Sequence, residues 1–135
     1  MRLALAVSML ALCVSVSVRA EESSGPTVKS LPPVVVETRP RSGDTKVDPA
    51  VRELKVTFSK DMMTEKMWSF VQVSPESFPK KSGEPRYLDK RTIVLPVTFE
   101  PGKAYVVWIN KGKFDTFRDE DGHPAVPYLL AFETR

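Results

Sequence analysis

The sequence predicts an all-β sandwich of short antiparallel strands joined by Greek-key connections. Three observations carry the prediction. Twelve prolines are spread through the 135 residues, with no long stretch of helical period among them. Short β-branched and aromatic runs recur between turn-forming clusters, the spacing of a sandwich built from hairpins. Arg52–Phe58 alternates cleanly, with Leu54, Val56 and Phe58 on one face and Glu53, Lys55 and Thr57 on the other. That is the pattern of a strand half buried against a core.

Seven strands follow in order. Pro33–Thr38 is β-branched and ends before Arg39-Pro40. Arg52–Phe58 is the second. Met67–Ser74 is the third, with Val71 and Val73 expected inward. A weak strand over Glu84–Leu88 turns through Asp89-Lys90-Arg91 into Thr92–Thr98, where Ile93 and Leu95 should point inward. Pro96 has no N–H for a ladder, so that strand must lie at an edge or bulge there. Ala104–Asn110 is strongly apolar, and Tyr128–Thr134 closes the fold with Leu130 and Phe132 inward. Between the second and third strands, Asp61–Trp68 could form one helical turn capped by Asp61 or Thr64.

Ahead of these strands, residues 1–20 read as a secretory signal peptide. Met1-Arg2 is a short positive start, Leu3–Val18 an apolar run, and Val18-Arg19-Ala20 a cleavage site before Glu21. The rival reading is a membrane anchor. The run is short for a span and carries Ser8, Ser15 and Ser17, which favours cleavage and leaves no membrane span afterwards. Cys13, the single cysteine, follows Leu12 rather than a small residue, so it reads as apolar filler and not as a lipid attachment site. The processed chain would then hold neither a disulfide nor a thiol. Residues 21–31 read as a flexible polar lead-in and 32–135 as the folded domain. Loss of Arg2 and Arg19 lowers the 20 basic residues to 18 against 17 acids, a net charge of +1 in place of +3. So balanced a charge argues against a nucleic-acid binder.

The ordered motifs resemble one family. Val36–Asp44 resembles its opening strand and Pro-x-x-Gly turn, followed by Val47-Asp48-Pro49. Val56-Thr57-Phe58-Ser59-Lys60-Asp61-Met62 resembles its Phe-Ser-x-x-Met hallmark. Arg91–Leu95, Phe99–Tyr105, Asp119–Pro124 and Phe132-Glu133-Thr134 are similar to its later segments. From about Pro32 to Thr134 the chain thus resembles the bacterial Ig-like domain of the SbsA type, found in S-layer and other cell-surface proteins. The departures are the long Lys111–Asp121 loop and His123, which stands where the family usually has asparagine. The resemblance implies an immunoglobulin-like sandwich. Within it, Tyr105, just after Pro101-Gly102, is placed to form a tyrosine corner, with Val107 and Ile109 inward beside it and Val106 and Trp108 outward. Phe58 and Met62 would be structural, Met62 plugging one end.

Catalytic chemistry is poorly supplied. His123 is the single histidine, beside Pro124 in a turn; no Gly-x-Ser-x-Gly surrounds a serine, and no glycine-rich phosphate loop exists. One histidine with carboxylates makes a poor zinc set. Asp115, Asp119 and Asp121, with Glu120, are the best calcium candidates, but their spacing is not that of an EF-hand, and the sequence favours a solvated turn in which Asp119 bonds the backbone before Gly122. Otherwise no cofactor is implied. Lys80, Lys81 and Arg86, with Lys90 and Arg91, form a basic stretch suited to an acidic polysaccharide or lipid headgroups, or to simple solvation and protection of a strand edge. Trp108 and Val106, with Trp68 and Phe70, could form an exposed patch for a partner or sugar ring. The alternative, which the sequence favours, is that the Lys111–Pro127 loop covers that face through Phe114 and Phe117.

These readings lead to a non-enzymatic exported module, monomeric, with a structural or adhesive role in the cell envelope. It would act in the periplasm, at the cell surface or outside the cell. The alternatives are a carbohydrate- or protein-binding module using the aromatic face, and a small secreted enzyme or inhibitor built around His123. The partner would be a cell-envelope protein or polysaccharide.

Overall fold

The computed structural model describes residues 11–17 and 25–135. Most of the expected signal peptide lies outside the described residues. Among the described residues, no helix is long and apolar enough to cross a membrane.

Among the described residues, eight strands form two antiparallel sheets. They are β1 (Val35–Arg39), β2 (Glu53–Phe58), β3 (Phe70–Gln72), β4 (Lys80–Lys81), β5 (Arg86–Tyr87), β6 (Thr92–Thr98), β7 (Ala104–Ile109) and β8 (Tyr128–Glu133). One sheet runs β1-β2-β6, with β4 and β5 both paired to the far side of β6; the other runs β3-β7-β8. This is the strand arrangement of a constant-type immunoglobulin domain, four strand positions facing three. The eighth strand arises because one position is split in two. β5 pairs with Ile93 and Val94, whereas β4 pairs with Val97 and Thr98.

Pro96 explains the split. Val97 donates its amide to Arg52 on the β2 side, so alternation along β6 turns the nitrogen of Pro96 toward β4 and β5. With no proton there, the ladder breaks. The Ser82–Pro85 segment swings past, leaving a single bond from the Ser82 amide to the Pro96 carbonyl. A side chain at Gly83 would come within 3.3 Å of the proline ring.

The core forms where the alternating faces meet. Leu54, Val56 and Phe58 from β2, Ile93, Leu95 and Val97 from β6, and Tyr105, Val107 and Ile109 from β7 are buried together with Leu130 and Phe132. Burying one such side chain contributes roughly 1.5–3 kcal/mol. Tyr105 also has a polar task. Its hydroxyl accepts the Glu100 amide at 2.7 Å, which closes a tyrosine corner over the Pro101-Gly102 turn. Met62 is buried at the opposite end, where its backbone bridges to Asp119.

Two local expectations need correction. Asp61–Trp68 contains no helical turn. The segment is irregular, with Lys66 at a φ of 55°, because Met62 is drawn into the core and its amide bonds to Lys90. In β3 the inward residue is Phe70, which meets the ring of Phe117 edge-on at 5.1 Å. Val71 pairs with Trp108 on the outer face, and Val73 is 57% exposed. A hydrophobic pattern only three residues long is decided by its neighbours, not by its own alternation. Within the lead-in, Thr27–Leu31 forms a hydrogen-bonded turn. Lys60 holds it by donating to the carbonyls of Lys29 and Leu31, each at 2.9 Å.

Candidate functional site

The two long sides of the sandwich are finished differently. On the side where β1 and β8 meet, residues 42–47 run along β8. Gly43 donates to Ala131, Glu133 donates to Asp44, and Val47 donates to Glu133. Ser42 Oγ adds an acceptor for the Ala131 amide at 3.2 Å. The edge of β8 is therefore satisfied.

The opposite side is open. Here β3 borders one sheet, and β4 and β5 border the other. Two connections cross between them: the Tyr87 hydroxyl, donating to the Met67 carbonyl at 2.8 Å, and the chain from Val73 to Pro79. Burial raises the pKa of the Tyr87 phenol, so it stays a donor throughout the physiological range. Between the crossings lies a cavity of about 430 Å³. Trp68, Phe70, Phe78 and Phe114 supply aromatic walls; Gln72, Thr116 and Lys81 supply polar ones. Phe114 is 53% exposed at its lip.

The sequence-selected residues fall into three places. Lys80 and Lys81 form β4, and Lys81 enters the cavity lining, whereas Arg86 pairs with Glu53 at 3.7 Å. Trp108 and Val106 lie on the outer face of the other sheet, beside Val71, Leu129 and Ala131. The long loop does not pack its phenylalanines over them, contrary to expectation. Phe117 turns into the core, 5.1 Å from the ring of Phe58, and Phe114 turns to the cavity. Instead Lys111 places its ammonium 4.9 Å above the Trp108 ring, a cation–π contact. Trp68 and Phe70 belong to the cavity rather than to that outer patch.

The acidic loop is organised around one residue. Asp119 is buried. One carboxylate oxygen accepts the amides of Asp121 and His123. The other accepts Lys60 Nζ at 2.6 Å and faces His123 Nδ1 at 2.9 Å. Burial alone would push its pKa up; the Lys60 ammonium and the His123 amide and ring overcome this and hold it at about 2. Asp115 does not converge on this point, because it pairs with Arg118 at 2.9 Å. Asp119, Asp121 and His123 bring ligand atoms within 4.8 Å of one another. The set still does not fit calcium: its central carboxylate has both oxygens committed, one of them to an ammonium, and an imidazole is a poor ligand for that ion. The Asp119–His123 pair would also be two parts of a hydrolase triad, yet among the described residues no hydroxyl hydrogen-bonds the imidazole. The arrangement fixes a loop.

The class this fold defines is the immunoglobulin-like sandwich, with Asp119, His123 and Lys60 engaged in fixing its loops. Residues 29–134 match the family model described as bacterial Ig-like domain, and the chain belongs to that family. Among solved structures it is similar to one titled "Crystal structure of the S-layer protein rSbsC(31-844)", at 20% identity and a TM-score of 0.47. That match covers 79% of this chain and 14% of the other, so the chain spans a small part of that protein's length. Comparison with curated proteins gave no match.

Proposed function

We propose that this chain is a non-enzymatic, exported module with a structural or adhesive role in the cell envelope. The observation that carries the reading is the use made of its chemical groups. His123 and the nearly buried Lys60 are both joined to the buried carboxylate of Asp119, and together they hold a loop and an incoming turn in place. Family membership supports the same reading, and residues 1–20 support export. A cell-envelope protein or polysaccharide is the partner class, and the periplasm, the surface or the exterior is the place of action.

The test is fractionation of the native host with mass spectrometry of the protein's N-terminus. The expected result is a processed chain beginning at Glu21 in the envelope or medium. A full-length chain confined to the cytoplasm would overturn the reading.

A binding role through Trp108 is the second reading. It rests on the run of Val71, Val106, Trp108 and Leu129 on one outer face, where Leu129 is 42% exposed. A sugar stacking there would have to displace Lys111 from the ring.

A further inference from the structure

We propose that the open side of the sandwich is a strand-addition site for an extended acidic peptide of a partner protein, with one apolar side chain seated in the aromatic cavity. The proposal deepens the adhesive reading by naming the kind of partner and the surface that meets it.

The backbone makes the first argument. Asn110 donates its amide to the Ser69 carbonyl. In the observed register, Ser69 and Asn110 therefore form a hydrogen-bonded pair, and so do Val71 and Trp108 two positions on. Phe70 falls between them and Gln72 just beyond. Their amides and carbonyls point away from β7, toward the free edge. No bond to these four groups comes from any other described residue. An extended segment lying along β3 would satisfy them, as in other cases of strand addition. The contrast with β8 is direct, since its edge is already covered by residues 42–47.

The side chains make the second argument. An added strand would lie beside the cavity of about 430 Å³, whose walls are Trp68, Phe70, Phe78 and Phe114. Side chains of a strand alternate, so every second residue of the guest can enter the cavity while its neighbours face outward.

Charge selects the guest. The lining contains Lys81 and no carboxylate. Lys80 adjoins it on β4, and Lys113 reaches over the ring of Phe114 at 5.3 Å. None of these three lysines is in an ion pair among the described residues. Two carboxylates adjoin the lining along the chain: Glu84 lies exposed before Pro85, and Asp115, between Phe114 and Thr116, is neutralised by Arg118 at 2.9 Å. An alternating acidic–apolar peptide meets both demands, and its long-range attraction would weaken with salt.

The probe is the blocked peptide acetyl-EVEFEVE-amide, titrated into residues 21–135 with backbone amide NMR and hydrogen exchange as readouts. Acetyl-KVKFKVK-amide is the charge control, and polygalacturonate the polysaccharide control. In the free protein the Phe70 and Gln72 amides should exchange fast. With the acidic peptide they should become protected by at least tenfold. The basic peptide should bind more than tenfold more weakly. Lys81→Glu and Phe114→Ala, both at exposed positions, should each weaken binding several-fold while leaving the unfolding midpoint unchanged.

Binding without protection of Phe70 and Gln72 would overturn strand addition. No binding at 1 mM by a folded protein would overturn the site. So would preferential binding of polygalacturonate, or self-association of the chain that protects the same amides. Each of these outcomes can occur in a protein that is exported and processed, so failure here is separable from failure of the envelope reading.

Discussion

The side of the sandwich closed by residues 42–47 and the side bordered by β3, β4 and β5 are built from the same kinds of strand, yet they end differently. On the closed side a loop supplies donors and acceptors to Ala131 and Glu133 of β8 and a donor to the Leu129 carbonyl. On the open side a proline splits the facing strand, a three-residue strand forms the rim, and aromatic rings line the gap. The closed side is held by a run of hydrogen bonds along β8, and the open side at its two crossings, the Tyr87–Met67 hydrogen bond and the Val73–Pro79 chain. Substitutions on the two sides should therefore cost different amounts and move different observables.

The largest effect should come from Phe117→Ala. Its ring touches both Phe58 and Phe70 and fixes the inward face of β3. Truncation should cost about 3–5 kcal/mol in urea unfolding, and a loss under 1 kcal/mol would show that the open side is not braced from the core.

Acid should come next. Asp119 has a folded pKa of about 2 against an ordinary 3.8. Its contribution is therefore complete above about pH 4 and is lost as pH falls through the folded value. The shift corresponds to about 2 kcal/mol, read as the difference in unfolding free energy between pH 7 and the acid limit. Asp119→Asn should flatten that acid dependence. If the variant kept the full slope, other carboxylates would be its source.

Ser42→Ala tests the closed side alone. It removes the acceptor for the Ala131 amide and a donor to the Leu129 carbonyl, at a cost of about 1 kcal/mol, with faster exchange at Ala131. The smallest effect belongs to Phe114→Ala, whose half-exposed ring at the cavity lip should leave stability within about 0.5 kcal/mol. A large loss there would mean that the cavity wall is a structural prop.

The strands that were legible in the sequence are those whose own pattern outweighs their surroundings. Leu54, Val56 and Phe58 alternate with the polar Glu53, Lys55 and Thr57, so their buried face follows from local spacing. β4 offers only two lysines, with no apolar residue to mark it; it exists because β6 continues beyond Pro96 and presents Val97 and Thr98. The inward face of β3 was illegible because Phe117, distant in sequence, decides it. The same holds for the loop chemistry. Nothing local distinguishes Asp119 from Asp115 or Asp121, and the choice is made by Lys60, which the fold brings from the end of β2. The cavity joins residues from five separate stretches of chain, and no spacing rule connects Trp68 to Phe114.

The turn gripped by Lys60 and the Val47–Thr134 bridge also set the mechanics. The chain enters beside Asp119, at the end of the sandwich where β2 finishes, and reaches Arg135 at the opposite end, where β8 finishes. A pull between Leu31 and Arg135 therefore runs along the strands. Val47 and Thr134 pair in parallel, and Val47 donates to Glu133 while Arg135 donates to Val47. Under such a load these bonds slide against one another together instead of opening one at a time. Tension would be borne by a clamp in shear, the loading direction in which short strands resist most.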